Sequence, residues 1–328
     1  MRAPGFWWRA PDRPGLLPRL LAPLGWLYAG GTARRLRQAG YNPKVPVICV
    51  GNLTAGGGGK TPTVIALIQR LSERGRKVHV VSRGYGGSLT GPVRVDDTRH
   101  RAEAVGDEPL LLSAFAPVWV AKYRAAGVRA AEAAGAEVIL LDDGFQNPAV
   151  IPALRLLVAD AARGFGNGRC IPAGPLREPV GIGLARADIL LTIGETSAQA
   201  GFDAVWGPFD PPRMRGRLLP LQMGVDWKGE RVLAFAGIAD PSRFFATLRA
   251  EGAEVLRAEA LGDHEILSEA LLRRLEADAA ALGAQLVTTE KDAVRLPPQW
   301  RARILTLVVR LAVDDWQPLD TALDRLGP

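Results

Sequence analysis

The chain has 328 residues, 48% apolar and 23% charged, which excludes a disordered or fibrous protein and suits two domains of about 150 residues each. Its two cysteines, Cys49 and Cys170, are too few for a disulfide framework or a four-cysteine metal site and point to a reducing compartment. The formal charge is +7, but residues 1–40 hold seven arginines against one acid, so the remainder is close to neutral and a general nucleic-acid binder is disfavoured.

The first 40 residues form an arm. Between Arg19 and Arg34 lies a charge-free stretch of 14 residues, too short to cross a bilayer, which takes about 20. Leu17, Leu20, Leu21, Leu24 and Tyr28 recur at helical spacing, and Pro23 is expected to kink the helix. With Trp7, Trp8 and Trp26 near the arginines, the stretch suits a segment lying in an anionic membrane interface. A helix packed on the protein's own core and a targeting peptide are the alternatives.

From residue 45, apolar runs alternate with helical stretches. Strands are expected at Pro46–Val50, Lys77–Val81, Val118–Val120, Glu137–Leu141, Leu154–Ala159 and Ile189–Ile193, with helices at Thr61–Arg74, Glu108–Phe115 and Gly127–Ala134. Nearly all-apolar strands separated by helices describe a parallel sheet covered on both faces. The fold class is therefore α/β, a doubly wound sheet in residues 41–210, which the glycine-rich run ending in Lys60-Thr61 makes phosphate-loop NTPase-like. Residues 211–222 read as a linker strand. The pattern restarts in a second, smaller α/β domain, 223–328, with strands Val232–Ala236, Ala253–Arg257, Gln285–Thr288 and Ile304–Val309 around helices Pro241–Glu251 and Ser268–Leu282. The return linker strand is expected near 304–312.

The strongest chemical signal follows the first strand. Thr54, Ala55, Gly56, Gly57, Gly58 and Gly59 lead into Lys60-Thr61-Pro62 at a helix start. Glycines let successive N–H groups turn inward as an anion nest at the positive helix end, so this loop is expected to bind ATP. Lys60 would reach the β- and γ-phosphates and the Thr61 hydroxyl would ligate Mg²⁺. Thr54 departs from the G-x-x-x-x-G-K-[ST] pattern, which has Gly there. The apolar strand Glu137–Leu141 then delivers Asp142 and Asp143 to the sheet edge, Asp142 fitting the second Mg²⁺ contact and Asp143 facing the reaction.

A phosphate loop names the nucleotide, not its fate. A small-molecule kinase and a membrane-associated switch ATPase both remain, although Ala55 stands where the switch class often carries a lysine. Polar clusters after strands favour the kinase: Ser82-Arg83-Gly84-Tyr85-Gly86-Gly87, Gly106-Asp107-Glu108-Pro109, Gly164–Arg169 and Pro172–Pro179. Together with Asp142-Asp143-Gly144-Phe145-Gln146, Asp263-His264 and Thr289-Glu290-Lys291-Asp292, these motifs strongly resemble the tetraacyldisaccharide 4'-kinase family of lipid A biosynthesis, in the same order over residues 5–325.

The resemblance implies transfer of the ATP γ-phosphate to the 4'-hydroxyl of an acylated glucosamine disaccharide 1-phosphate. It implies a peripheral enzyme, expected to act as a monomer without nucleic acid, on the cytoplasmic face of the bacterial inner membrane. Carried over residue by residue, it makes Asp107 the base and His264 its partner, acting with Lys60 and Asp143. Glu108 is a candidate metal contact; Arg83, Tyr85, Arg124, Gln146, Asn147, Arg177 and Glu178 are candidate substrate contacts, the arginines for phosphate. Two departures stand out: Asn147 replaces the family's usual His and cannot titrate near neutral pH, and Gly58 replaces a small polar residue.

Overall fold

The computed structural model describes residues 3–263 and 265–326. Each strand expected in the first half is present to within one residue: β1 Val47–Gly51, β2 Val78–Ser82, β4 Val118–Val120, β5 Val138–Asp142, β6 Leu154–Asp160 and β7 Ile189–Ile193, with a short extra β3 at Val93–Arg94. They join β8, Arg213–Pro220, and β13, Val309–Val313, in one sheet of order β13-β8-β7-β6-β1-β5-β2-β4-β3. All pairings are parallel except β3–β4 and β8–β13. Successive strands leave β1 first on one side and then on the other, so the crevice for a ligand opens beyond the carboxyl end of β1.

Both faces of that sheet are covered. The phosphate-loop helix, Lys60–Glu73, buries Thr63 through Ile68 and Leu71 against one face, and helix Arg124–Ala133 packs on the other. The smaller sheet, entirely parallel, runs β10-β9-β11-β12 with β9 Arg231–Ala236, β10 Glu254–Ala260, β11 Gln285–Thr289 and β12 Leu305–Leu307. Helices Pro241–Ala250 and Glu269–Leu282 cover it.

Two features of the C-terminal region differ from the sequence reading. The single strand expected at Ile304–Val309 is two: β12 stays in the smaller sheet, and β13 pairs antiparallel with β8 at the edge of the large one. An unbroken apolar run shows that a segment is buried, not that it changes sheets partway. The final helix, Gln317–Asp324, also belongs with the large sheet, where Leu319 and Leu323 join the core beneath the phosphate-loop helix. Arg70 and Arg74 both bond the Asp320 carboxylate, which lies below its ordinary value because of those bonds, Arg70 first. A depressed carboxylate stabilises the fold above the unfolded value, and that contribution disappears as pH falls through the folded one. Asp320→Asn is therefore expected to lower stability at pH 7 by about 1 kcal/mol, and the gap in Tm to the parent should close as pH falls below 3.8.

The arm folds as a short 3-10 turn, Gly5–Trp8, and a helix that continues through Pro23 from Leu16 to Leu36. Its buried positions are small or compact: Pro18, Ala22, Gly25 and Thr32. A Cβ on Gly25 would lie 2.9 Å from the Cys170 carbonyl oxygen, so the helix docks closely through this narrow face. Leu16, Leu17, Leu20, Leu24, Trp26 and Leu27 all point outward and are at least half exposed. Own-core packing thus accounts for the small residues and leaves the apolar stripe uncovered. Among the described residues, no helix is long and apolar enough to cross a membrane.

Candidate active site

At the end of β1 the chain turns through Asn52–Gly59 and enters its helix from Gly59, whose φ of 84° is left-handed. A Cβ there would lie 2.5 Å from Ile193 Cδ1, so glycine is needed for both reasons. Asn52 is buried and shapes the loop. Its Nδ2 donates to Thr54 Oγ1 (3.3 Å) and the Gly56 carbonyl (3.2 Å), while its Oδ1 accepts from Lys60 Nζ (3.2 Å). Thr54 is therefore tied to Asn52 by its hydroxyl, an interaction that glycine could not make. Among the described residues, the N–H groups of Gly56, Gly57, Gly58 and Gly59 donate to no backbone carbonyl, as an anion nest requires.

Two carboxylates close the site from β5. Asp142 is buried: its Oδ2 accepts from Ser82 Oγ at 3.1 Å, and its Oδ1 has no partner. Burial, then the nearby charges of Glu108 and Asp143, push it up to about 7 against the pull of Lys60 and Arg124. Asp143 sits at φ 50°, unusual for a non-glycine residue. Burial pushes its carboxyl up, but Lys60 at 3.6 Å and Arg177 at 2.8 Å outweigh this and hold it below its ordinary value. Neighbouring acids are thus driven in opposite directions, a pattern typical of reaction centres.

A third cluster faces them from the first turn of helix Asp107–Leu112. Asp107 is buried; its Oδ1 accepts from the Glu108 N–H at 2.9 Å, and its Oδ2 lies 3.9 Å from both Lys291 Nζ and Arg295 Nε. Lys291 also bonds Glu108 at 3.2 Å. Burial would lower this lysine, but Glu108, Asp107 and Asp263 together raise it above its ordinary value. Lys291 and Arg295 belong to the smaller-sheet side of the chain, so Asp107 lies where the two sheets' units meet. His264, expected to partner Asp107, lies outside the described residues; its neighbour Asp263 is near enough to act on Lys291.

Of the remaining sequence candidates, Arg177 is beside Asp143, whereas the others occupy varied places. Arg83 and Tyr85 are exposed on the loop after β2. Arg124 is buried beneath the two aspartates, donating from Nη2 to the carbonyls of Asp142 (3.0 Å) and Asp143 (3.3 Å), with Nε and Nη1 unpartnered. Gln146 is internal, bridging the Asn52 carbonyl (3.0 Å) and Glu178 (2.9 Å). Glu178 is 1% exposed, and its two oxygens are taken by Gln146 and Arg186, so it supports the Pro172–Pro179 loop from within. Asn147 accepts from the Ala149 N–H at 2.9 Å and lines a separate cavity with Arg155, away from Lys60.

Sequence reasoning passed over Asn52, Ser82, Arg186 and Arg295. Asn52 was visible inside the loop motif. Arg295 was not, because one arginine among 35 offers no contrast; Lys291 was visible inside the Thr289–Asp292 motif, without a partner for it.

The model of the LpxK family, tetraacyldisaccharide-1-P 4'-kinase, matches residues 17–327. The tetraacyldisaccharide 4'-kinase of Dinoroseobacter shibae is 61% identical over 331 residues, covering 100% of this chain and 98% of that protein. The tetraacyldisaccharide 4'-kinase of a Jannaschia species is 58% identical over 328 residues, covering 99% of each. The crystal structure of "apo" form LpxK from Aquifex aeolicus in complex with ATP superposes with a TM-score of 0.76 at 25% identity, covering 95% of this chain and 100% of that one. By the family match over residues 17–327 and by these relatives, the chain belongs to the tetraacyldisaccharide 4'-kinase family.

Proposed function

We propose that this protein transfers the ATP γ-phosphate to the 4'-hydroxyl of an acylated glucosamine disaccharide 1-phosphate, at the cytoplasmic face of the bacterial inner membrane. The observation that carries the reading is a juxtaposition: a phosphate loop, an acid with an open oxygen whose charge is felt by Glu108, and Asp107 beside Lys291 and Arg295 of the smaller unit.

Phosphoryl transfer calls for positioning, neutralisation of phosphate charge and an acceptor for the hydroxyl proton. The loop N–H groups and Lys60 hold the nucleotide. Mg²⁺ fits the donors present, because Asp142 offers a buried, unpartnered Oδ1 beside the Thr61 loop and Glu108 is close enough to act on it. An Mg²⁺ ion is commonly held by one or two carboxylates plus phosphates, and these donors are enough for that. When bound, Mg²⁺ neutralises charge on the phosphate oxygens. Asp107 takes the proton of the 4'-hydroxyl, with His264 as its partner, and Arg177 keeps Asp143 ionised beside Lys60. Arg83 and Tyr85, exposed at the mouth, meet the acceptor. The uncovered Leu and Trp face of the arm lies in the membrane interface, where each nearby arginine adds about 1 kcal/mol on anionic lipid.

The test is incubation of the full chain with γ-labelled ATP, Mg²⁺ and the tetraacyldisaccharide 1-phosphate in mixed micelles. Label is expected in the lipid, dependent on both protein and acceptor. Label confined to free phosphate would overturn the reading in favour of an ATPase.

A further inference from the structure

We propose that Trp7 and Asn167 are positioning residues for phosphoryl transfer: the aromatic turn of the arm braces the loop that presents Arg177 to Asp143. The inference rests on the kinase reading above and assigns the arm a second task besides lying on lipid.

Two segments far apart in sequence, the arm's turn and the loop from Arg163 to Arg177, interlock at this point. Asn167, 2% exposed, has its backbone N–H and both side-chain polar atoms engaged. Its backbone N–H donates to the Trp7 carbonyl (2.8 Å), and its Nδ2 donates to the carbonyls of Phe6 (3.2 Å) and Ala173 (2.9 Å). Its Oδ1 accepts from the Arg169 N–H (3.1 Å). A buried amide used in this way fixes the geometry of its neighbours, since any displacement leaves a desolvated polar group unmatched. Trp7 adds its own bond, from Nε1 to the Pro172 carbonyl at 3.0 Å. Gly166 is pressed between the arm and the far side of its own loop: a Cβ there would lie 2.5 Å from the Trp7 carbonyl oxygen and 2.6 Å from Pro175 Cγ.

The braced segment leads directly to the chemistry. The Pro175 carbonyl accepts from the Ala55 N–H, and the Arg177 N–H donates to the Leu53 carbonyl, each at 2.7 Å, so the loop is stitched along the phosphate loop. From that anchor Arg177 Nη1 reaches Asp143 Oδ1 at 2.8 Å. The same turn also meets the cross-link between units: the Arg163 guanidinium lies 4.9 Å over the Trp8 ring and bonds Asp240 at 2.6 Å. The outward Leu and Trp residues of the arm helix take no part in this network. Anchoring and positioning therefore reside on different residues of the arm.

The experiment is a double-mutant cycle in the full-length protein, with turnover in mixed micelles and flotation on phosphatidylethanolamine–phosphatidylglycerol vesicles. Trp7→Ala is expected to lower kcat about tenfold in the parent and less than about twofold in an Arg177→Gln background, because the two act through one contact. KM for ATP and flotation should stay within about twofold of the parent. Trp7→Phe, which keeps an aromatic ring but loses the pyrrole ring with its N–H, should recover only part of the loss, and Asn167→Asp should reproduce it. Equal losses in both backgrounds, no loss of kcat, or a loss of kcat matched by a loss of flotation would each overturn the proposal. Failure of the parent to label the lipid would count against the kinase reading instead.

Discussion

Asp107→Asn is expected to lower kcat by about 10³-fold, within the range of general-base contributions, while KM for ATP changes by less than about threefold. The substitution is close to isosteric. The asparagine carbonyl oxygen can still accept from the Glu108 N–H, which Asp107 Oδ1 now does at 2.9 Å, so the first helical turn keeps its bond. What is lost is the anionic oxygen 3.9 Å from Lys291 and Arg295, the group able to take a proton. The phosphate loop lies on other elements and should bind nucleotide as before. Steady-state kinetics at saturating ATP, with Tm as a control for folding, check the prediction. Turnover within about threefold of the parent would remove Asp107 from the role of base.

Lys60→Met should be comparably damaging, by about 10³-fold in kcat/KM, because it removes a cation aimed at developing phosphate charge inside a water-poor site. Unlike the Asp107 change, it should also weaken nucleotide binding. Lys60 Nζ is held by Asn52 Oδ1 at 3.2 Å and lies 3.6 Å from Asp143, so the charge is set in place before any ligand arrives. It also counteracts the upward push on Asp142 and helps keep Asp143 ionised. Methionine preserves the stem and therefore isolates the charge. Nucleotide titration and turnover in parallel distinguish the two outcomes: loss of turnover with unchanged nucleotide affinity would mean that Lys60 acts on the transferring group alone.

The parts of this protein that were legible in the sequence are those governed by local pattern. Apolar runs located six of the nine large-sheet strands within a residue, and the glycine-rich turn before Lys60-Thr61 stands out by its spacing as a strand-to-helix loop, which it is. Partnership was less legible. Glu178 and Gln146 look like surface recognition groups in a polar loop, yet each satisfies the other in the interior. Arg124 reads as a phosphate ligand until its guanidinium is found beneath two backbone carbonyls. These assignments depend on which side chains from distant segments share a buried space, and neither periodicity nor composition encodes that. The arm shows the same limit: helical spacing revealed its apolar stripe, but the docking face is made of Pro18, Ala22, Gly25 and Thr32, whose contribution is closeness of approach rather than hydrophobicity.

The pairing of β8 with β13 has a further consequence, for modularity. Pro220 and Val309 are opposite one another in the ladder, so the chain leaves the large sheet and returns to it at a single place. Everything between them is an insertion in a hairpin. A short turn could join the two strands in its absence, and the nucleotide-binding half would retain its complete strand order and its C-terminal helix. The large sheet is thus a platform complete without the inserted segment, a graftable cassette, and Lys291 and Arg295 are the cassette's contacts with Asp107.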